Sequence, residues 1–314
     1  MNQMIKIEQK GRVLIATLDN PPHALMTGPM VQELDALIRR ADRDDGVGAV
    51  VFTGSQPERF ISHYDTGELL RGGEGSPSLS INQARLSLAV TRALVRIPGM
   101  RSLLLKTPVA GVISVQEFHH TLLRMGRSGV IFIAAINGPT AGGGLEFSMA
   151  CDFRYISDRG ELAQPEVLLG FPPGGGGTQR LARLIGRARA LELMLKGRGI
   201  SPDEAYQLGL VTKVVPHDQL LDTAIKEAEQ LARRYKPAVA VIKQAVLEGG
   251  SLPLEHGLQM EQGAYLALLG MQPVQRALKT YVDYTQRTGI LPADDPAARK
   301  ELEDGTFVDF TNGS

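Results

Sequence analysis

Gly142, Gly143 and Gly144 run directly into Leu145-Glu146, and a second glutamate, Glu166, follows twenty positions later in A-Q-P-E-V-L-L-G. Glycines that open a helix leave backbone N–H groups unpaired at the positive end of the helix dipole. Such an end can hold an oxyanion. Glu146 stands three positions beyond Gly143, on the same helical face. One short segment therefore offers an electrophilic hole beside a general base, and Glu166 is the candidate matching acid. Each feature alone has a plain structural reading. A glycine triplet before a helix is commonly close packing, and either glutamate alone fits an ordinary surface charge.

Strand and helix alternate around these residues, which makes the chain α/β. V-L-I-A-T-L (13–18) reads as a strand ended by Asp19-Asn20-Pro21-Pro22. Residues 29–42 carry Met30, Val31, Leu34, Leu37, Ile38 and Ala41 on one helical face. Strands follow at 47–53, 130–136 and 152–157; the second is apolar on both faces, as in a sheet covered by helices on each side. Ser201-Pro202-Asp203-Glu204 reads as a capping box with proline at the first helical position, Gly209 stops that helix, and 210–215 forms a short strand. Beyond Pro216, helical periodicity recurs over 218–235, 237–248, 254–269 and 274–288. This divides the chain into a domain over 1–215, a helical subdomain over 216–290 and a tail over 291–314. The tail is rich in Pro, Gly and Asp and is expected to be extended. Residues 71–129 stand out as an insertion: loop-like at R-G-G-E-G-S-P-S-L-S, then helical near 84–97 and near 115–125. The second piece is expected to present Val115, Phe118, His119, Leu122 and Leu123 on one face.

Composition excludes several function classes. In 314 residues, 34 Lys+Arg balance 34 Asp+Glu, so no basic field directs the chain to nucleic acid or an anionic membrane. No apolar run is long enough to span a bilayer, and the N-terminus has no apolar signal core, so a cytoplasmic protein is expected. The one cysteine, Cys151, follows an apolar helical stretch and reads as a buried structural thiol. His119 and His120 are adjacent, so on a helix they diverge and make a poor metal pair; no metal site is expected. Asp152 and Arg154 read as a structural pair or cap.

At I-A-A-I-N-G-P-T-A-G-G-G-L-E-F-S-M-A-C-D-F-R (133–154) and A-Q-P-E-V-L-L-G-F-P-P-G-G-G-G-T-Q-R-L (163–181) the chain resembles the enoyl-CoA hydratase/isomerase (crotonase) superfamily. V-V-F-T-G-S-Q-P-E-R-F-I-S-H-Y-D (50–65) resembles its first oxyanion-hole segment less closely. The resemblance implies a spiral of ββα units, C-terminal helices that pack as a homotrimer or hexamer, and an acyl-CoA thioester as substrate. No separate cofactor is implied, because coenzyme A arrives with the substrate. By family position, the Gly143 and Tyr64 amides form the oxyanion hole, Glu146 and Glu166 are the catalytic carboxylates, and Gly174 supplies a backbone group that places water. Two carboxylates favour hydration of a 2-enoyl-CoA. The alternatives are isomerisation or another enolate reaction, and a non-catalytic CoA-binding module. Two carboxylates sharing a site should also raise one pKa. His63 stands where the family has glycine; if that position needs a left-handed backbone, histidine is strained there. Otherwise His63 caps a turn or contacts substrate. Tyr64, larger than the usual residue, either narrows the acyl pocket or offers its hydroxyl to the substrate.

Overall fold

The computed structural model describes residues 3–74, 78–107 and 109–311. Part of the loop expected within 71–80, Pro108 and the last three residues of the tail lie outside them. Strands β1 (Ile5–Lys10) and β2 (Val13–Leu18) form an antiparallel pair, followed by α1 (Gly28–Arg43) and β3 (Ala49–Gly54). Helices α2 (Thr66–Gly73), α3 (Ile81–Leu94), α4 (Met100–Leu104) and α5 (Ala110–Arg127) come next. The chain then runs through β4 (Ile131–Ile136), β5 (Thr140–Ala141), α6 (Gly143–Ala150), β6 (Phe153–Ser157) and β7 (Leu162–Ala163). A 3-10 turn, Glu166–Leu169, leads to α7 (Gly177–Ile185), α8 (Arg187–Lys196), β8 (Gly199–Ile200), α9 (Pro202–Gln207) and β9 (Lys213–Val215). Five helices close the chain: α10 (Leu220–Leu231), α11 (Lys236–Leu247), α12 (Leu254–Leu269), α13 (Gln272–Thr288) and α14 (Pro296–Asp304).

The main sheet has the order β1-β2-β3-β4-β6-β9 and is parallel from β2 onward; β5, β7 and β8 form a second, small sheet. Side chains alternate across the main sheet. Leu14, Val50, Phe52, Phe132 and Ala134 face a core filled by Leu34 and Ile38 of α1 and Phe147 of α6. Val13, Val51, Ile131, Ile133 and Ala135 face Leu220, Ala224 and Ala228 of α10. All six residues of β4 are buried, which accounts for its unbroken apolar run. Where β4 meets α11, Lys243 donates to Val130 O at 2.9 Å and to Asp152 at 2.8 Å, and it stands 4.7 Å from the centre of the Phe132 ring.

Three expectations are corrected, and of the pair-or-cap expectation for Asp152 and Arg154 only the cap holds, with Arg154 on the last carbonyls of α6. The strand expected over 210–215 keeps only Lys213–Val215: Leu210 and Val211 N–H turn back to Ala205 O and close α9 instead. Asp152 and Arg154 do not pair by hydrogen bond. Asp152 takes Lys243 and Phe132 N–H, while Arg154 donates to the Leu210, Ser148 and Cys151 carbonyls. In α5 the buried face is Ile113, Phe118, Leu122 and Met125, whereas Val115 and Leu123 are exposed. The tail carries α14, capped by Asp295, which accepts from Ala297 and Ala298 N–H. It is docked by Phe310 on Tyr235 and by Phe307 on Tyr281 and Tyr284.

Candidate active site

The chain places its acid pair through two tight turns. Ala141 N–H donates to Ser62 O and Gly142 N–H to Ala163 O, which ties the segment before α6 to the stretches ending at Tyr64 and starting at Glu166. Gly142 has φ +49°, a left-handed conformation that glycine adopts freely. A Cβ there would stand 3.1 Å from Glu166 Oε1, so a side chain would press on the carboxylate. At Gly143 a Cβ would lie 3.0 Å from Tyr64 Cβ and 3.3 Å from Tyr64 N. The two candidate oxyanion amides therefore sit on backbones in contact. Neither N–H has a hydrogen-bond partner among the described residues. Around Tyr64, Met26 N–H donates to His63 O and Asp65 N–H to Met26 O, so the bridge to Met26 leaves the Tyr64 amide on its other side.

Glu146 is 2% exposed, and its Oε1 accepts from Gly175 and Gly177 N–H, both at 2.7 Å. Burial pushes its pKa up, while the two amides and the nearby His119 and Arg180 work against that rise. Glu166 begins the 3-10 turn and is 8% exposed. Burial, reinforced by the Glu146 charge, raises its pKa to about 7. The expected like-charge effect is present but second to desolvation. Gln164, 1% exposed, faces both Glu166 oxygens with its amide; with its nitrogen toward them it donates at 2.8 and 3.0 Å. Both glutamates, Gly143, Tyr64, His63 and Gly174 line one cavity of about 790 Å³.

His63 is not strained: among the described residues only Ala24 is a non-glycine with positive φ. Its Nδ1 lies 2.7 Å from Tyr64 O, which fits the turn-capping reading, and the residue also lines the cavity. The Tyr64 hydroxyl is engaged by Glu68, and its pKa is pushed up by burial and by that neighbouring carboxylate. Cys151 is buried, and burial raises its thiol pKa. Three contributors escaped the sequence reading: His119, Phe118 and Gln164. His119 Nε2 lies 2.8 Å from Gly174 O, so α5 holds the glycine loop that holds Glu146. Phe118 packs tilted against Tyr64, with ring centres 6.3 Å apart, and fills the space where a Gly175 side chain would stand. A contact between positions 55 residues apart has no local pattern to announce it. Gln164 did carry a signal, two positions before Glu166 in the motif.

Chemically, the arrangement offers two free amides for a developing oxyanion. Beside them, one carboxylate is held by backbone donors and a second has its pKa near neutrality. A protein family described as Enoyl-CoA hydratase/isomerase matches residues 110–288. A Dictyostelium discoideum protein named probable enoyl-CoA hydratase, mitochondrial, is 32% identical over 278 residues, covering 88% of this chain and 87% of that one. The short-chain-enoyl-CoA hydratase of Clostridium acetobutylicum is 30% identical, covering 90% and 95%. The crystal structure of a Bacillus anthracis enoyl-CoA hydratase superposes with a TM-score of 0.72 at 30% identity, covering 90% of this chain and 97% of that one. With the acid pair, the glycine-opened helix and these likenesses together, the chain belongs to the enoyl-CoA hydratase/isomerase (crotonase) family.

Proposed function

We propose that the protein is a 2-enoyl-CoA hydratase. The carrying observation is the pair of buried carboxylates in one cavity, unequally solvated, beside two unpartnered amides. In this reading the thioester oxygen accepts from Tyr64 and Gly143 N–H, each contributing about 3 kcal/mol of enolate stabilisation. Glu146, ionised and oriented by Gly175 and Gly177, takes a proton from water as the oxygen attacks the β-carbon. Glu166, with its pKa near 7, delivers its proton to the α-carbon. Gly174 offers a backbone group toward that water, and His63 is placed at the cavity wall to meet substrate. No cofactor beyond the substrate's own coenzyme A takes part.

The reading extends to assembly and place. No residue of α12 or α13 is buried in the monomer, and Leu254, Leu258, Leu266 and Leu278 stand exposed, which supports a homotrimer or a hexamer of trimers. No helix among the described residues is long and apolar enough to cross a membrane. A cytoplasmic location fits the lone unpaired Cys151.

Glu166→Gln and Glu146→Gln test the mechanism. Each should lower kcat for hydration of crotonyl-CoA by about a thousandfold or more, while affinity for a saturated acyl-CoA stays within a fewfold. Turnover near the wild-type rate in either variant removes the paired-carboxylate mechanism.

A further inference from the structure

Away from the reacting atoms, the 790 Å³ cavity runs between α2, α5 and the 3-10 turn that follows Glu166. Its walls there are Leu69, Val115, Phe118, Leu168, Leu169 and Phe171. No lysine or arginine lines it among the described residues, and its acidic side chains are Glu68, Glu146 and Glu166. Glu68 is already taken by Gly28 N–H at 2.9 Å and by the Tyr64 hydroxyl. A phosphate-bearing arm finds no cationic partner on these walls, whereas an alkyl chain finds apolar surface along the whole run.

Glycines keep this space open. The backbones of α2 and α5 approach at Gly72 and Gly111: a Cβ on Gly111 would lie 3.6 Å from Gly72 O. Gly73 is different. A Cβ there meets nothing within 4 Å, and the residue lines both this cavity and an adjoining one of about 490 Å³. The second cavity shares Leu69, Leu169 and Phe171 with the first and continues to Leu70 and Glu74. A crotonyl group ends one carbon past the reacting double bond and reaches little of this volume.

We infer that the wall between α2 and α5 is an acyl subsite for a long apolar tail, on the order of eight carbons or more, and that Gly73 sets its reach. The inference rests on the hydratase reading for where the thioester sits. A Cβ at position 73 meets no atom, so a larger side chain there displaces no backbone, and in this subsite chain length and side-chain size compete for one space. Each methylene that the wall covers tightens binding by up to about fourfold.

Calorimetric titration of wild type and Gly73→Leu with butyryl-, octanoyl- and dodecanoyl-CoA tests this, because saturated esters bind without turning over. Wild type should tighten at least tenfold from butyryl to dodecanoyl. Gly73→Leu should keep butyryl affinity within twofold and lose fivefold or more on dodecanoyl. Affinity that is flat or weakening with length in wild type, or an equal loss on all three esters in the variant, overturns the subsite. If Gly73→Leu does not fold, the wild-type series decides alone. Hydration of crotonyl- and trans-2-dodecenoyl-CoA, measured alongside, separates the two claims. Length-dependent binding without hydration of either ester keeps the subsite and removes the hydratase reading. Hydration without the length series does the reverse.

Discussion

At the scale of single residues, the site works by giving two identical side chains different surroundings. Glu146 is buried but compensated by two amides, whereas Glu166, with its pKa raised to about 7 from an ordinary 4.5, keeps its proton near neutrality. In hydration one proton leaves Glu166 and another arrives at Glu146, so the pair carries one proton before and after. Addition and elimination of water should therefore share one profile of kcat/KM against pH, falling above about pH 7 as that proton is lost; stopped assays in both directions check this. The same shift has a sign for stability. Between pH 4.5 and about 7 the folded chain holds a proton that the unfolded chain has lost, so this contribution is full below 4.5 and disappears as pH rises to about 7. Glu166→Gln should remove that slope from urea melts taken across the window. His119 acts one step away, through Gly174 O. His119→Ala should lower kcat about tenfold with KM little changed, and His119→Gln, which keeps an N–H donor, should restore most of it in steady-state kinetics. An unaltered kcat in His119→Ala removes this positioning role. The carboxylates and the Gly143 amide were legible because their signal is local: glycines opening a helix that carries a glutamate. His119 was not, since its partner belongs to a distant loop.

Among the elements, α5 does most to complete the site. Phe118 is 5% exposed and wedged between the Tyr64 ring and Gly175, so it supports one oxyanion residue and the loop over Glu146 together. Phe118→Ala should cost about 3–5 kcal/mol in denaturant unfolding, because the surrounding helices and loop cannot close fully on the gap. The insertion was only half legible. Its α3 buries Thr91 alone, so no apolar stripe marks it, and its helical start rests on the Ser80–Gln83 capping box. In α5 the apolar pattern was visible but its face was misjudged, because Val115 looks into the cavity rather than the core. The tail misled by composition: Asp295-Pro296 is a helix-start signal within a stretch whose acidic and proline content reads as extended.

For the whole molecule, the two cores follow from side-chain alternation across the main sheet, and the succession of strands and helices was legible as an α/β pattern; the strand order was not, because pairing between distant segments leaves no local pattern. Faces that meet nothing within one chain were legible only as helical periodicity. Leu254 is 78% exposed and Leu266 66% on α12, an arrangement a lone monomer in water does not favour. Light scattering should give a mass three or six times that of the chain. Leu254→Glu with Leu266→Glu should shift it toward the monomer; a monomeric wild type removes the assembly proposal. One feature ties this far end back to the catalytic half. Lys243 and Asp152 neutralise each other largely shielded from solvent, one on α11 and the other just before β6. Breaking such a partnership from one side leaves a stranded charge worth about 3–5 kcal/mol. A shortened enzyme ending before α11 would therefore inherit a lone anion under its central strand, so the acid pair cannot be trimmed down to a free-standing minimal catalyst.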